Sequence, residues 1–384
     1  MTSRLRASRL PDVGTTIFSV MSQKAALYGA LNLAQGFPDF AVPQPLCAAL
    51  TRHLELGHNQ YAPMAGLVEL REQIALKVER SYGCRVDAEL DVTVVPGATE
   101  AIFCAIMASV GPGDEAILFD PSYDSYEPSV RLAGGRAVRI ALQPPDFRID
   151  WQRVREALSP RTRLIVINTP HNPTGSVLDG ADLDELENIL QSNDVLLLAD
   201  EVYEHLVFDG ARHHSVLGRP ALAERAFAVF SFGKTFHATG WKTGYCVAPR
   251  PLTAEFRRIH QFVTFVAVTP IQHALADFMR DEPRYGDTLA PFYQTKRDLF
   301  VERLAGSRWG VRPSAGSYFQ LLDYSAISDL GDTEMADRLV RQHGVAAIPV
   351  SVFCQHPLPM RLLRFCFAKK DDTLIRATEL LCAI

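Results

Sequence analysis

The sequence has no run of 18 consecutive apolar residues, so no membrane-spanning helix is expected. It has no CxxC spacing. The seven cysteines (Cys47, Cys84, Cys104, Cys246, Cys354, Cys366 and Cys382) are scattered and odd in number, which argues against a disulfide framework and for free thiols in a reducing cytoplasm. It has no excess of basic charge: 39 Lys and Arg stand against 44 Asp and Glu, for a net charge of −5. That balance argues against a nucleic-acid surface but leaves room for a local cationic pocket. Internal repeats and low-complexity tracts are absent, so a solenoid or linker-rich architecture is not expected. The opening "MTSRLRASRLPDVG" is basic but has no apolar segment, and no secretory signal is expected from it. His213-His214 lies in a polar loop without neighbouring ligands, so no metal site is expected.

What is present is an ordinary globular composition, 47% apolar and 22% charged, over 384 residues. A chain of this length calls for one large domain and a smaller one. From 90 to 250, short β-branched runs alternate with helical patterns. Strands are predicted at 91–96, 115–120, 137–142, 163–170, 194–203, 227–232 and 245–249, with helices such as 99–110 and 183–193 between them. "LIVIN" and "VLLLAD" are apolar on both faces, as in parallel strands covered by helices on both sides. "GPGDE" at 111–115 precedes a strand and opens no helix, so it is a turn and not a dinucleotide fingerprint. After 250 come long helical stretches to about 305, then strand candidates at 316–324, 345–353 and 362–369. The expected architecture is α/β: a large, doubly wound, mostly parallel sheet domain over 41–275, and a smaller α+β domain built from an N-terminal arm, 1–40, with 276–384.

Ligands of open α/β sheets bind beyond the carboxyl ends of the strands. Those positions hold Gly97-Ala98-Thr99, Tyr123, Asn172, Asp200 with Tyr203 three residues on, and Lys234. A helix opening on small residues offers N–H groups to an anion, although capping explains Thr99 equally well. A flat aromatic such as Tyr123 can stack on a heterocycle, although on its own it is more often core. A buried Asp needs a cationic partner, which a protonated ring nitrogen supplies. A lysine in a partly apolar pocket has a lowered pKa and attacks carbonyls. Together these parts describe a pocket for pyridoxal 5′-phosphate.

The motifs "QGFPDF", "NQYAPMAGLVELREQIA", "PGATEA", "DPSYDSYEP", "NTPHNPTG", "DEVYEHLVF", "SFGKTFHATGWKTGY" and "LLRFCFAKKD" run in order along the whole chain. With them the chain resembles the class I/II aminotransferases, pyridoxal-phosphate enzymes of fold type I. It is most similar to the branch that holds the methionine and kynurenine–oxoglutarate aminotransferases. The resemblance implies that Lys234 binds the cofactor covalently and that Asp200 pairs with its ring nitrogen. It implies that Asn172 and Tyr203 bond the ring oxygen and that Tyr123 stacks on the ring. Ala98, Thr99, Ser231 and Lys242 match phosphate positions. Tyr61 matches a residue that reaches the neighbouring subunit's phosphate, which implies a homodimer with shared sites. Arg364, aided by Gly36 and Asn172, matches the clamp for the substrate carboxylate.

The implied activity is ping-pong transfer of an amino group from an amino acid to a 2-oxo acid. The segment 260–279 contains no Arg or Lys for a second carboxylate. Phe18, Phe265, Tyr318 and Phe353 can instead form an apolar or aromatic side-chain pocket. Methionine is the expected donor, with phenylalanine, other aromatics and histidine secondary. The alternatives are a C–S β-lyase, which the same lysine and aspartate would serve, and a cofactor-binding regulator, for which no basic recognition helix is seen. A cytoplasmic enzyme without nucleic-acid or membrane partners is expected.

Overall fold

The structure is a computed structural model and describes residues 8–356 and 360–384. The first seven residues of the N-terminal arm therefore lie outside the described residues. After the helix Ile17–Tyr28 comes the short strand β1 (Leu31–Asn32). Seven further strands build the main sheet: β2 (Val92–Val95), β3 (Glu115–Asp120), β4 (Arg136–Ala141), β5 (Thr162–Asn168), β6 (Leu196–Asp200), β7 (Ala226–Ser231) and β8 (Gly244–Val247). Their order is β2-β8-β7-β6-β5-β3-β4. The strands from β7 to β4 are parallel neighbours, and β8 runs antiparallel to both β7 and β2.

The side-chain alternation of a strand explains why the sheet is buried on both faces. Ile165, Ile167, Leu197 and Ala199 point into one apolar cluster, whereas Leu164, Val166 and Leu198 point into another. Helices Val68–Tyr82 and Thr269–Asp281 feed the first cluster, and Ala98–Ser109 and Arg250–Val263 feed the second. Among the described residues no helix is long and apolar enough to cross a membrane.

A third cluster lies around the antiparallel sheet β12-β13-β10-β9, made of β9 (Gly310–Val311), β10 (Phe319–Asp323), β12 (Ile348–Pro349) and β13 (Leu362–Cys366). β1 pairs in parallel with β11 (Val345–Ala346) and so carries the N-terminal arm onto this part. Helix Thr269–Asp281 packs wholly on the first cluster, through Ile271, Leu275 and Met279, while Leu289–Arg303 joins the third.

The strands expected over 194–203 and 362–369 end early, at Asp200 and Cys366, and three further elements differ in detail. The strand expected over 345–353 is broken: Val345–Ala346 pairs with β1, Ile348–Pro349 pairs with β13, and Ser351–Phe353 is a 3-10 turn. A change of partner and a proline without an N–H end each piece. The strand expected from 316 begins at Phe319, because Ser317 is left-handed at φ 62°. The helix expected from 183 begins at Gly180, where Asp179 and Asp182 form a reciprocal capping box.

Candidate active site

A cavity of about 170 Å³ opens at the carboxyl ends of β5, β6 and β7. It is several times the ~30 Å³ share of one water molecule, so it is space for a ligand. Asn168, Asp200 and Ser231 are the last residues of those three strands, and all line it. Opposite them stand Phe18, Gly36, Phe319 and Arg364, from the N-terminal arm, β10 and β13. Of the residues singled out in sequence, the cavity wall also brings together Ala98, Thr99, Tyr123, Asn172, Tyr203, Lys234 and Lys242.

Lys234 follows β7 on the short turn of helix Phe232–Thr235. Its Nζ donates to the Tyr318 hydroxyl at 2.8 Å, and that hydroxyl donates to the Gly36 carbonyl at 2.6 Å. Burial, with the Lys242 and Arg364 charges nearby, lowers the Lys234 ammonium to about 8. Asp200 is buried, and burial raises its carboxyl to about 6 although Tyr126 donates to Oδ2 at 2.5 Å. The sheet positions this carboxylate from below: Asn168 Nδ2 donates to the Asp200 carbonyl at 2.8 Å.

Arg364 is fully buried, its guanidinium 3.9 Å from the Phe319 ring centre and within 5.1 Å and 5.7 Å of those of Phe18 and Phe353. One nitrogen donates to Asn172 Oδ1 at 2.7 Å and another to the Ala34 carbonyl at 2.8 Å. Its Nε has no partner among the described residues. An unpaired donor in so apolar a setting is costly unless a ligand accepts from it. Because Asn172 Oδ1 is occupied, its Nδ2 remains to donate to a ligand.

The helix Ala98–Ser109 is capped by Gly97, at φ 91°, with no side chain bonding its first turn. Thr99 is therefore no cap, and the free N–H groups face the cavity. A side chain at Gly97 would meet Lys242 Nζ and Cε at 3.3 Å, so the glycine admits the lysine to this helix end. Among the described residues no carboxylate forms a salt bridge with Lys242. An open helix start beside an unpaired ammonium is an anion site. The cavity wall holds three cations, Lys234, Lys242 and Arg364, against one carboxylate, Asp200. Its charge suits a ligand set carrying phosphate and carboxylate.

Four expected residues do not line the cavity. Tyr61 is 81% exposed and packs edge-on against Phe265 at 5.5 Å, itself 43% exposed. Phe353 backs Phe18 at 5.8 Å and does not line the wall, while Tyr318 is buried behind Lys234. Sequence reasoning missed Tyr126, Phe319 and Asn168. Tyr126 lies in the same "DPSYDSYEP" segment as Tyr123, and its only signal was that a buried phenol needs a partner.

A sequence profile described as "Aminotransferase class I and II" matches residues 28–380. The chain is 54% identical over 372 residues to a methionine aminotransferase of Escherichia coli strain K12, covering 97% of this chain and 96% of that one. It is 39% identical to a probable N-succinyldiaminopimelate aminotransferase of Mycobacterium tuberculosis, covering 97% of each. Identity with kynurenine–oxoglutarate transaminase 1 of Mus musculus is 32%, covering 100% of this chain and 98% of that one. A crystal structure from Escherichia coli, reported with a methionine aminotransferase function, matches with a TM-score of 0.97 at 52% identity over 100% of both chains.

Proposed function

The chain belongs to the class I and II aminotransferases, and from that premise we propose that it moves the α-amino group of methionine to a 2-oxo acid. It is an aminotransferase whose cofactor is pyridoxal 5′-phosphate. The observation that carries the reading is the single cavity in which Lys234, Asp200, Arg364 and an open helix start face one another.

The residues fit the cofactor. The first turn of Ala98–Ser109 with Thr99, Ser231 and Lys242 would hold the phosphate, and Tyr123 would cover the ring. Asp200, raised by burial for want of a cation, would face the ring nitrogen and keep a proton there. Asn172 and Tyr203 would meet the ring oxygen, and Lys234 would carry the aldehyde carbon. When bound, the cofactor supplies a protonated, electron-withdrawing ring that stabilises negative charge at the substrate Cα. The chain's own residues do the rest. Arg364 binds the substrate carboxylate with a planar fork, in a site its three aromatic neighbours keep dry. Tyr318 and Gly36 aim the Lys234 amine. With its pKa near 8, that amine can take and return a proton near neutral pH.

The donor preference rests on the wall opposite Lys234. Among the described residues the cavity offers no second arginine for a distal carboxylate, and Phe18 and Phe319 present apolar rings. Steady-state kcat/KM across amino donors tests this: methionine is expected to lead, and aspartate exceeding methionine tenfold would overturn it.

The proposed large domain, 41–275, contributes Asp200 and Lys234, and the proposed small domain, 1–40 with 276–384, contributes Phe18, Gly36 and Arg364. The reaction would then occur at their junction. We place the enzyme in the cytoplasm as a homodimer. Tyr61, Phe262, Phe265 and Val268 form an exposed apolar surface around the loop meant to reach the neighbour's phosphate. A single-chain mass in sedimentation equilibrium of the cofactor-loaded protein would contradict the dimer.

Asp200→Asn separates stability from activity. A carboxyl raised from 3.8 to about 6 makes the folded state hold more protons than the unfolded state between those values. Stability therefore falls as pH rises through that window and stays lower above it. Two pKa units correspond to about 3 kcal/mol. The cofactor-free variant is expected to melt higher than the parent at pH 7.5 and to lose that advantage below pH ~4. Its kcat is expected to fall about 10²- to 10³-fold. A lower melting point at pH 7.5 would contradict the assignment.

A further inference from the structure

Outside the cavity the described residues bring together three imidazoles that the reaction does not use, those of His53, His58 and His273. His53 lies in the last turn of helix Gln44–Glu55, His58 in the turn beyond it, and His273 on helix Thr269–Asp281. One ring nitrogen from each lies within 4.8 Å of the others, and the ring centres are 4.2, 4.9 and 5.0 Å apart. His53 Nε2 donates to Asp277 at 2.7 Å, so its Nδ1 is a lone pair, 2.8 Å from His58 Nδ1. Asp277 stands one helical turn beyond His273 and is also bound by Arg52 and Arg280.

We propose that His53, His58 and His273 form a binding site for a zinc-class divalent cation. Three arguments carry this. A carboxylate behind one imidazole fixes its tautomer and turns its other nitrogen outward, which is how metal-binding histidines are held. An all-nitrogen set selects zinc, cobalt, nickel or copper over magnesium and calcium, which prefer oxygen. The spacing also suits the metal. Two imidazoles on tetrahedral zinc, with Zn–N of ~2.0–2.1 Å, have nitrogens ~3.3 Å apart. Here His53 Nδ1 and His58 Nδ1 are 2.8 Å apart and all three nitrogens lie within 4.8 Å, so rotations of the half-buried His58 and His273 rings would bring them to that spacing.

His273 is lowered by burial first, then by the other two histidines, against Glu69 and Asp277, which raise it. The Asp277 charge is matched by Arg52 and Arg280. On binding, His58 carries its proton on Nε2 and leaves Nδ1 to the metal, with no change in proton count. The fourth position is left to water. Such a metal would staple the turn after Gln44–Glu55 to helix Thr269–Asp281, a junction already joined by His53 and Arg52 to Asp277 and by the Ala62 N–H to Thr269 Oγ1 bond of 3.1 Å. Positions 53, 58 and 273 are too dispersed for any ligand spacing to reveal the site in sequence.

The test is a Co²⁺ titration of cofactor-loaded, chelator-washed protein, with Zn²⁺ as competitor. One Co²⁺ per chain is expected, with the visible bands of four-coordinate cobalt that Zn²⁺ abolishes. His58→Ala/His273→Ala should weaken binding at least tenfold and remove the bands, whereas His356→Ala should leave both unchanged. Retained cofactor absorbance in the double variant shows that it has folded. No stoichiometric cobalt in the parent protein, or bands that persist in the double variant, would overturn the site.

Discussion

Replacing Lys234 with alanine is expected to lower turnover by about 10⁴-fold or more, at or beyond the upper end of general acid–base catalysis, while the cofactor still binds. The two functions of the cavity are spatially separate. Lys234 stands at the carboxyl end of β7 with Tyr318 and Gly36, whereas Lys242 stands at the start of Ala98–Ser109. Removing Lys234 deletes the amine that holds the cofactor covalently and the group that moves the proton. It leaves the helix start, Lys242 and Asp200 in place. The violet-edge absorbance of the covalently held cofactor should disappear, and equilibrium dialysis should still recover bound cofactor. Lys242→Ala should do the reverse, weakening affinity while keeping that absorbance at saturating cofactor. If Lys242→Ala removes the absorbance and Lys234→Ala does not, the two lysines have been assigned the wrong way round.

Arg364→Lys is expected to lower kcat/KM for methionine about 10²-fold. Hydrogen bonds to charged groups contribute ~1.5–3 kcal/mol each, and lysine keeps the charge but loses the two-point fork. A loss of about 3 kcal/mol is about two decades at 1.4 kcal/mol per decade. The loss should also appear for the 2-oxo acid, which carries the same carboxylate. It should vanish for 3-(methylthio)propylamine, the donor without one. An equal loss for that amine would mean that Arg364 supports the pocket and does not bind the carboxylate. Its partners, Asn172 and the Ala34 carbonyl, orient the guanidinium but leave Nε free, which is why a ligand is the natural acceptor.

Much of this was legible in the sequence, for physical reasons that differ by element. The buried parallel strands announced themselves because both faces are apolar: Leu164 to Ile167 and Leu197 to Ala199 alternate between two cores without a polar break. The site was legible because an α/β sheet delivers strand ends to one rim, so Asn172, Asp200 and Lys234, at or just past those ends, had to be neighbours. What stayed hidden depends on side chains meeting across the fold. The Tyr126 bond to Asp200, the Phe319 face under Arg364 and the three-histidine group join residues tens to hundreds of positions apart. The break at 345–353 was hidden because a strand that exchanges partners keeps its apolar pattern. Tyr61, matched to a neighbouring subunit's phosphate, and Phe265, expected in the side-chain pocket, meet each other on the surface within one chain. A second subunit would give Tyr61 the role the resemblance implies.

Transfer of the amino group of methionine in this cavity is tested by one half-reaction. Cofactor-loaded protein is mixed with methionine in the absence of any 2-oxo acid, and the absorbance and products are followed through a single turnover. The account predicts loss of the violet-edge band as the cofactor passes to its amine form, with one 4-methylthio-2-oxobutanoate released per site and recovery of the band when a 2-oxo acid is added. An unchanged band, or release of ammonia and methanethiol in its place, would contradict it.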